Sequence, residues 1–307
     1  MIRVAKPGLF TTVQDLGRYG YAHLGISQGG AADSLSFRIA NLLVGNDENA
    51  PALEMTLLGA SLEFEGAAIV ALSGAACNGQ VGGRPVPDHE AFEIPAGTTL
   101  ECGAMMDGAR CYLSVQGGFD CPLVLGSAST LFAAGFGGFQ GRQLQAGDVL
   151  QIRQHEAGRV RSLRAGALDS LRAPRALRVT RGAQQDWFGA PTFATLFSAA
   201  YRVIHRSDRR GLRLEGAVLR PESDSQLLSE GVTLGAIQVP PDGQPIILFV
   251  DQQTTGGYPK IANVIAADQH RVGQLRPGDE VWFAEVSVSQ AIAILAEQER
   301  RLKQIFV

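Results

Sequence analysis

A chain of 307 residues with a formal net charge of −3 and 19% charged residues is long enough for a substantial core and two domains, since single cores rarely grow past roughly 250 to 300 residues. This near-neutral balance gives no electrostatic reason to expect a nucleic-acid or anionic-membrane partner. No apolar run approaches the ~18 residues of a membrane span, and the N-terminus lacks a leader-like pattern, so a cytoplasmic protein acting on a small molecule is expected.

Glycine supplies 37 residues, and short apolar segments alternate with Gly, Pro and Asp turns throughout. That pattern favours an all-β dominated chain with few helices. In chain order, the first polar cluster lies between Gly8 and Arg18 and carries Gln14, Asp15 and Arg18. It reads as a ligand loop or as a structural turn in which Asp15 and Arg18 pair. Gly29-Gly30-Ala31-Ala32-Asp33 then leads into a helix over 34–44, with Asp33 as N-cap, Leu35, Ile39, Leu42 and Leu43 on one face, and Gly45 as the stop. Anion binding by the free amides at this helix start is the lesser reading, because the Asp33 carboxylate would itself take those donors.

Strands are expected at 61–64, 68–72, 99–102, 110–115, 149–152, 176–180, 235–239, 246–250 and 280–284. The Arg-rich stretch 154–175 is the natural linker between domains at 1–165 and 175–307. Leu144-Gln145-Ala146-Gly147-Asp148-Val149 is echoed by Leu275-Arg276-Pro277-Gly278-Asp279-Glu280-Val281, a Leu-x-x-Gly-Asp turn feeding a strand in each half. A further helix is expected within 184–200, and an amphipathic one over 289–305 to brace the C-terminus.

The most informative segment follows the apolar run Ile246-Ile247-Leu248-Phe249-Val250. Asp251, Gln252, Gln253, Thr254, Thr255, Gly256, Gly257, Tyr258, Pro259 and Lys260 set carboxylate, amides, hydroxyls, phenol and ammonium between two core segments. Such a segment is either a ligand loop on rigid supports or an ordinary hydrogen-bonded hairpin. All but Lys6, Lys260 and Lys303 of the 27 basic residues are Arg, which makes a lysine at this point conspicuous. The polar islands Ser207 to Gly211 and Leu228 to Gly231, and the turn Gln238-Val239-Pro240-Pro241-Asp242-Gly243, are scaffold or further walls of the same cleft.

Several chemistries lack their motifs. There is no phosphate-binding Gly-x-x-x-x-Gly-Lys-Ser/Thr loop, and Gly135-Phe136-Gly137-Gly138-Phe139-Gln140 carries Gln where a dinucleotide fingerprint carries its last glycine. Cys77, Cys102, Cys111 and Cys121 show no metal-type spacing and read as buried thiols, and the five histidines are scattered, so no metal site is expected.

Taken in order, Thr11 to Arg18, Asp33 to Gly45, Ala52-Leu53-Glu54, Leu228 to Gly235, Gln238 to Pro245 and Gln253 to Lys260 resemble the allophanate hydrolase subunit 2 family, also called the KipA or biotin-dependent carboxyltransferase family. The resemblance implies β-barrels of cyclophilin type. For a free-standing chain of this length, it also implies a role as the C component of an ATP-dependent 5-oxoprolinase, with a KipI-like B component and a separate A component as partners. ATP, with magnesium, would activate the amide oxygen of 5-oxo-L-proline by phosphorylation, and water would open the ring to give glutamate.

The resemblance makes Asp15, Arg18, Asp251 and Lys260 the candidate catalytic residues, with the carboxylates orienting water or holding magnesium. Gln14, Gln238, Gln253, Thr254, Thr255, Gly256, Gly257 and Tyr258 become the candidate substrate wall. Two alternatives belong to the same family: a carboxyltransferase acting on urea or a related amide with biotin supplied in trans, and a non-catalytic partner of a KipI-like kinase inhibitor. Ala75-Ala76-Cys77 departs from the family run, which carries a carboxylate there, and relatives carry Lys or Arg at the position of Lys260.

Overall fold

The computed structural model describes residues 1–153, 158–171, 175–222 and 227–307. It is dominated by strands, as composition implies, and forms two compact units that are not contiguous in sequence. The first holds Met1–Arg18, Gly29–Ala167 and Ile305–Val307, and the second holds Tyr19–Gln28 and Leu168–Gln304.

In the first unit the strands are β1 (Ile2–Lys6), β2 (Phe10–Gln14), β3 (Ala52–Thr56), β4 (Ser61–Phe64), β5 (Ala68–Gly74), β6 (Gln80–Val81), β7 (Arg84–Pro85), β8 (Ala91–Ile94), β9 (Thr98–Glu101), β10 (Arg110–Val115) and β11 (Val149–Leu150). They form a six-stranded sheet ordered β11-β1-β4-β9-β6-β7 and a five-stranded sheet ordered β2-β3-β10-β5-β8. β1 and β4 alternate buried and exposed residues, the signature of a sheet with one face on the core. Ile2, Val4, Leu62 and Phe64 meet Leu53, Met55, Val70, Leu72 and Leu113 from the other sheet in one apolar cluster.

β10 is buried at every position because helix α1 (Ser34–Leu43) covers its outer face, where Phe37 and Ala40 pack on Tyr112 and Ala52. The helix starts as its sequence dictates. Asp33 Oδ1 accepts from the Ser36 backbone N–H at 2.9 Å, and Gly45 beyond its end has φ 76°. The amides ahead of the helix already have partners, since the Ala32 N–H donates to Glu54 Oε2 at 2.8 Å and the Asp33 N–H to the Tyr112 hydroxyl at 2.7 Å. An anion there would have to displace both.

The short helix α2 (Ala167–Ser170) is followed in the second unit by β12 (Leu177–Arg181), α3 (Ala190–Ser198), β13 (Tyr201–Val203), β14 (Gly211–Glu215), β15 (Glu230–Gly231), β16 (Ala236–Gln238), β17 (Ile246–Leu248), β18 (Thr255–Gly256), β19 (Lys260–Val264), α4 (Gln269–Val272), β20 (Glu280–Val281), β21 (Phe283–Glu285) and α5 (Val288–Gln304). Eight strands form one sheet, ordered β20-β13-β14-β17-β16-β19-β12-β21, with only the β12–β21 pairing parallel. The two edge strands, β20 and β21, are consecutive in the chain with Trp282 alone between them, so the sheet's ends are joined and the sheet curls into a barrel. β15 and β18 form a separate two-stranded ribbon.

Two expectations need correction. Of the stretch 154–175, residues 154–157 and 172–174 lie outside the described residues, but the rest is not a free linker. The Gly158 N–H donates to Gly45 O at 2.8 Å and the Arg161 N–H to Leu43 O at 2.9 Å, which fastens this segment to the first unit. The apolar run at 246–250 and the strand after it are not the arms of a hairpin either. β17 pairs with β14 and β16, β19 pairs with β16 and β12, and the polar segment between them carries the chain past an intervening strand.

Candidate functional site

In the first unit, Gln14 ends β2, and the chain turns through Asp15 into Arg18. The Asp15 carboxylate is buried and fully engaged. Oδ1 accepts from the Gly17 N–H at 2.8 Å and from the Ser127 and Ser129 hydroxyls, each at 2.6 Å, and Oδ2 accepts from the Ala128 N–H at 2.6 Å. Arg18 is also buried; one Nη donates to the Ser129 carbonyl, and the guanidinium lies 5.0 Å from the Phe136 ring centre. The glycine-rich stretch Gly135 to Gly141, which misses a dinucleotide fingerprint, has this packing as its reason. A side chain at Gly137 would lie 2.1 Å from Ser129 O and 3.0 Å from the Arg18 guanidinium.

Gln14 donates from Nε2 to Thr12 Oγ1 at 3.0 Å and to Thr130 O at 3.3 Å, and its Oε1 has no partner. Asp15 and Arg18 thus both converge on the segment Ser127 to Ser129, which sequence reading missed. Nothing in the spacing between positions 15 and 127 announces that contact.

In the second unit the polar segment after β17 divides by function. The Asp251 carboxylate is buried in a fork with Arg209, at 2.8 Å from Nε and 3.1 Å from Nη2. Both its oxygens are engaged, so it is not the free carboxylate that orienting water or holding magnesium requires. Asp15 fails the same test by its four donors. Among the described residues no group of three or more His, Cys, Asp or Glu side chains is arranged to hold a metal ion.

Lys260 is not an exposed loop ammonium. It opens β19, only 5% of its surface is accessible, and Nζ lies 2.6 Å from Glu230 Oε1. Gln184 clamps this pair from the other side: its Nε2 donates to Glu230 Oε1 at 2.8 Å, and its Oε1 accepts from the Lys260 backbone N–H at 3.1 Å. The Lys260 ammonium, followed by the Gln184 amide, holds the Glu230 carboxyl below its usual range. Glu230 also faces Gly256 across the β15–β18 ribbon, and the Val232 N–H donates to Thr254 O at 3.0 Å, so Thr254, Thr255 and Gly256 are held as a short strand edge.

Beside this lies a cavity of about 1020 Å³ whose lining includes Gln238, Gln253 and Tyr258 together with Arg206, Arg213 and Ile246. Gln238 is 1% exposed; its Oε1 accepts from Gln253 Nε2 at 3.4 Å, while its own Nε2 has no partner. A buried amide N–H without an acceptor is costly in a folded protein, and it stands at the wall of a cavity large enough for a small ligand. A Cβ at Gly256 would lie 2.5 Å from Gln238 Nε2, so a side chain there would push this amide from its place. Gly257, by contrast, faces Leu227 O at 3.3 Å.

The carboxyltransferase domain family, subdomains A and B, matches residues 24–285. The chain belongs to that family. Among its relatives, the 5-oxoprolinase C subunit of Escherichia coli is 39% identical over 99% of this chain and 97% of its own length. The protein of the same name from Haemophilus influenzae is 38% identical over 96% of this chain and 94% of its own. The crystal structure of urea carboxylase from Kluyveromyces lactis superposes with a TM-score of 0.93 at 32% identity, covering 99% of this chain but only 29% of the larger one. The carboxyltransferase fold is therefore found both as a chain of this size and as one part of a much longer enzyme. Among the described residues no helix is long and apolar enough to cross a membrane.

Proposed function

We propose that this chain is the C component of an ATP-dependent 5-oxoprolinase, acting with a KipI-like B component and a separate A component to open 5-oxo-L-proline to L-glutamate. The observation that carries the reading is end-to-end agreement with the Escherichia coli C component, 99% of this chain against 97% of the relative. A match to one segment of a multidomain enzyme would instead leave most of the relative uncovered.

The cavity wall supplies what such chemistry asks of this chain. The lactam oxygen has to be held in place as it takes up the phosphoryl group, and a preorganised N–H donor holds it best where that donor has no other acceptor to give up. Gln238, with Gln253 hydrogen-bonded to it, is that donor. Lys260, Glu230 and Gln184 act as positioning residues, because Lys260 is the cross-strand partner of Gln238 and the ion pair fixes its strand. When bound, ATP supplies the phosphoryl group that activates the lactam oxygen. Of this chain's residues, Arg206 on the cavity rim fits a phosphoryl oxygen, whereas Asp15 and Asp251 do not fit magnesium.

Mixing the purified chain with its A and B components and following ATP-dependent glutamate release from 5-oxo-L-proline tests the proposal. Turnover is expected from the three together and none from this chain alone; well-folded components that form no glutamate sink it. The 0.93 superposition on urea carboxylase favours a second reading, a carboxyltransferase served by a biotin carrier in trans. Turnover of urea or an amide that requires added biotinylated carrier is the result specific to that reading.

A further inference from the structure

The register of the barrel strands aligns a cation with the Gln238 amide. Arg213 of β14 stands opposite Ile246 of β17, and Ile246 stands opposite Gln238 of β16. Directly opposed residues of antiparallel strands share a face, and adjacent strands lie about 4.8 Å apart. Arg213 and Gln238 therefore share one face about 10 Å apart at the backbone, with the apolar Ile246 between them, and all three line the same cavity.

Two arginines just ahead of this strand are engaged with acids. Arg209 is forked to Asp251, and Arg210 holds Asp208 through Nε at 3.0 Å and Nη2 at 2.9 Å. Arg213 makes no side-chain ion pair or hydrogen bond among the described residues, and Ile204 and Ile246, its neighbours on either side, are apolar and line the cavity too. The acids Glu215 and Asp242 share the cavity, so its overall field is close to neutral. Within the row that holds Gln238, the guanidinium of Arg213 is the group that can favour an anion, and its planar fork matches a carboxylate. Arg206 is also without an acid partner among the described residues but lies in the turn ahead of β14, outside this row.

We propose that Arg213 binds the carboxylate of a small amide substrate whose carbonyl oxygen is held by the Gln238–Gln253 amide pair, so that this wall selects a carboxylate-bearing lactam over the bare lactam. The assignment rests on the functional reading above and names the residue that sets its substrate class. Its probes are 5-oxo-L-proline and 2-pyrrolidinone, which differ only in the carboxylate.

In the reconstituted complex, Arg213→Ala is expected to lower kcat/KM for 5-oxo-L-proline by about tenfold to a hundredfold, the range for losing a charged hydrogen-bond partner. The same variant should leave 2-pyrrolidinone unaffected, and Arg213→Lys should restore part of the loss. Calorimetric binding of both probes to the full chain and to the complex should show the same loss without relying on turnover. Arg213 is exposed, so its variants should melt with the wild type.

An active complex in which Arg213→Ala keeps the full preference for the acid overturns the proposal and leaves the 5-oxoprolinase reading standing. Wild-type protein that binds the two lactams equally, or binds neither, overturns it as well. A complex without glutamate formation whose binding of 5-oxo-L-proline still depends on Arg213 removes the 5-oxoprolinase reading and supports the site.

Discussion

The Asp15 carboxylate and the Gln238 amide are similarly buried polar groups in opposite states. Around Asp15 every carboxylate lone pair in use meets a donor from the chain itself, four in all. Around Gln238 an equally buried amide lacks an acceptor and stands on a cavity wall. Burial and polarity alone do not separate scaffold from site; what separates them is whether the hydrogen-bonding capacity is met within the protein. By that criterion the Asp15 knot fixes a turn to the segment Ser127 to Ser129, and the Gln238 wall is the better candidate for a ligand site. Asp251 belongs with Asp15, because Arg209 meets its charge.

Breaking the saturated side of this comparison gives the largest effect. Asp15→Ala strands four buried donors and is expected to cost roughly 3–5 kcal/mol, read from urea unfolding. A loss under about 1 kcal/mol would mean that the knot is not structural. Lys260→Ala is expected to cost about 1–2 kcal/mol, less than removal of a fully buried pair, because Glu230 is 43% exposed and regains water when its partner goes. An unchanged melting temperature would show that the lysine behaves as a surface ammonium.

The repeated Leu-x-x-Gly-Asp turns sharpen the contrast at a smaller scale. Asp148 Oδ2 accepts from the Gln145 N–H at 2.7 Å and Asp279 Oδ2 from the Arg276 N–H at 2.8 Å, with Gly147 and Gly278 at φ 91° and 95°. The Gly147 and Gly278 N–H groups donate to Val4 O and Val203 O, each at 2.8 Å, so both turns start a closing strand in the same way. Only Asp148 also carries a guanidinium fork, from Arg142 at 2.7 and 2.8 Å, against 3.8 Å for Arg276 on Asp279.

Arg142 accordingly holds the Asp148 carboxyl below its ordinary value. A carboxyl lowered by folding adds stability above its unfolded pKa of about 3.9, and that stability is lost as pH falls through the folded value. Arg142→Ala should therefore cost about 1 kcal/mol at pH 7, with the difference from wild type shrinking below about pH 4. Arg276→Ala should cost under about 0.5 kcal/mol at either pH. Equal losses for the two would erase the distinction between the turns.

Much of the fold was legible because its causes are local. The helix at Ser34–Leu43 has its cap, its apolar face and its stop in the sequence, and strands 61–64 and 110–115 lie where their apolar patterns put them. The strand Phe10–Gln14 was hidden because it carries polar side chains inward, which an apolar count rejects. The candidate wall was partly legible: Gln238, Gln253 and Tyr258 do line one cavity. Gln184 and Arg213 were not legible, and Glu230 was visible within the polar island Leu228 to Gly231 but its ion pair was not, because cross-strand register and ion pairs leave no pattern along the chain. For Asp251 the acid was visible but its partner Arg209, 42 positions earlier, was not.

The most direct test of the distinction between scaffold and site is Gln238→Met, which keeps the side chain's size and removes its amide. An amide N–H that folding leaves unsatisfied contributes no stability, so the variant should melt within a degree or two of wild type or slightly above it, while kcat/KM of the reconstituted complex for 5-oxo-L-proline falls by about a hundredfold. A variant that loses several kcal/mol of stability yet keeps wild-type kcat/KM would place Gln238 with Asp15 in the scaffold and contradict the account.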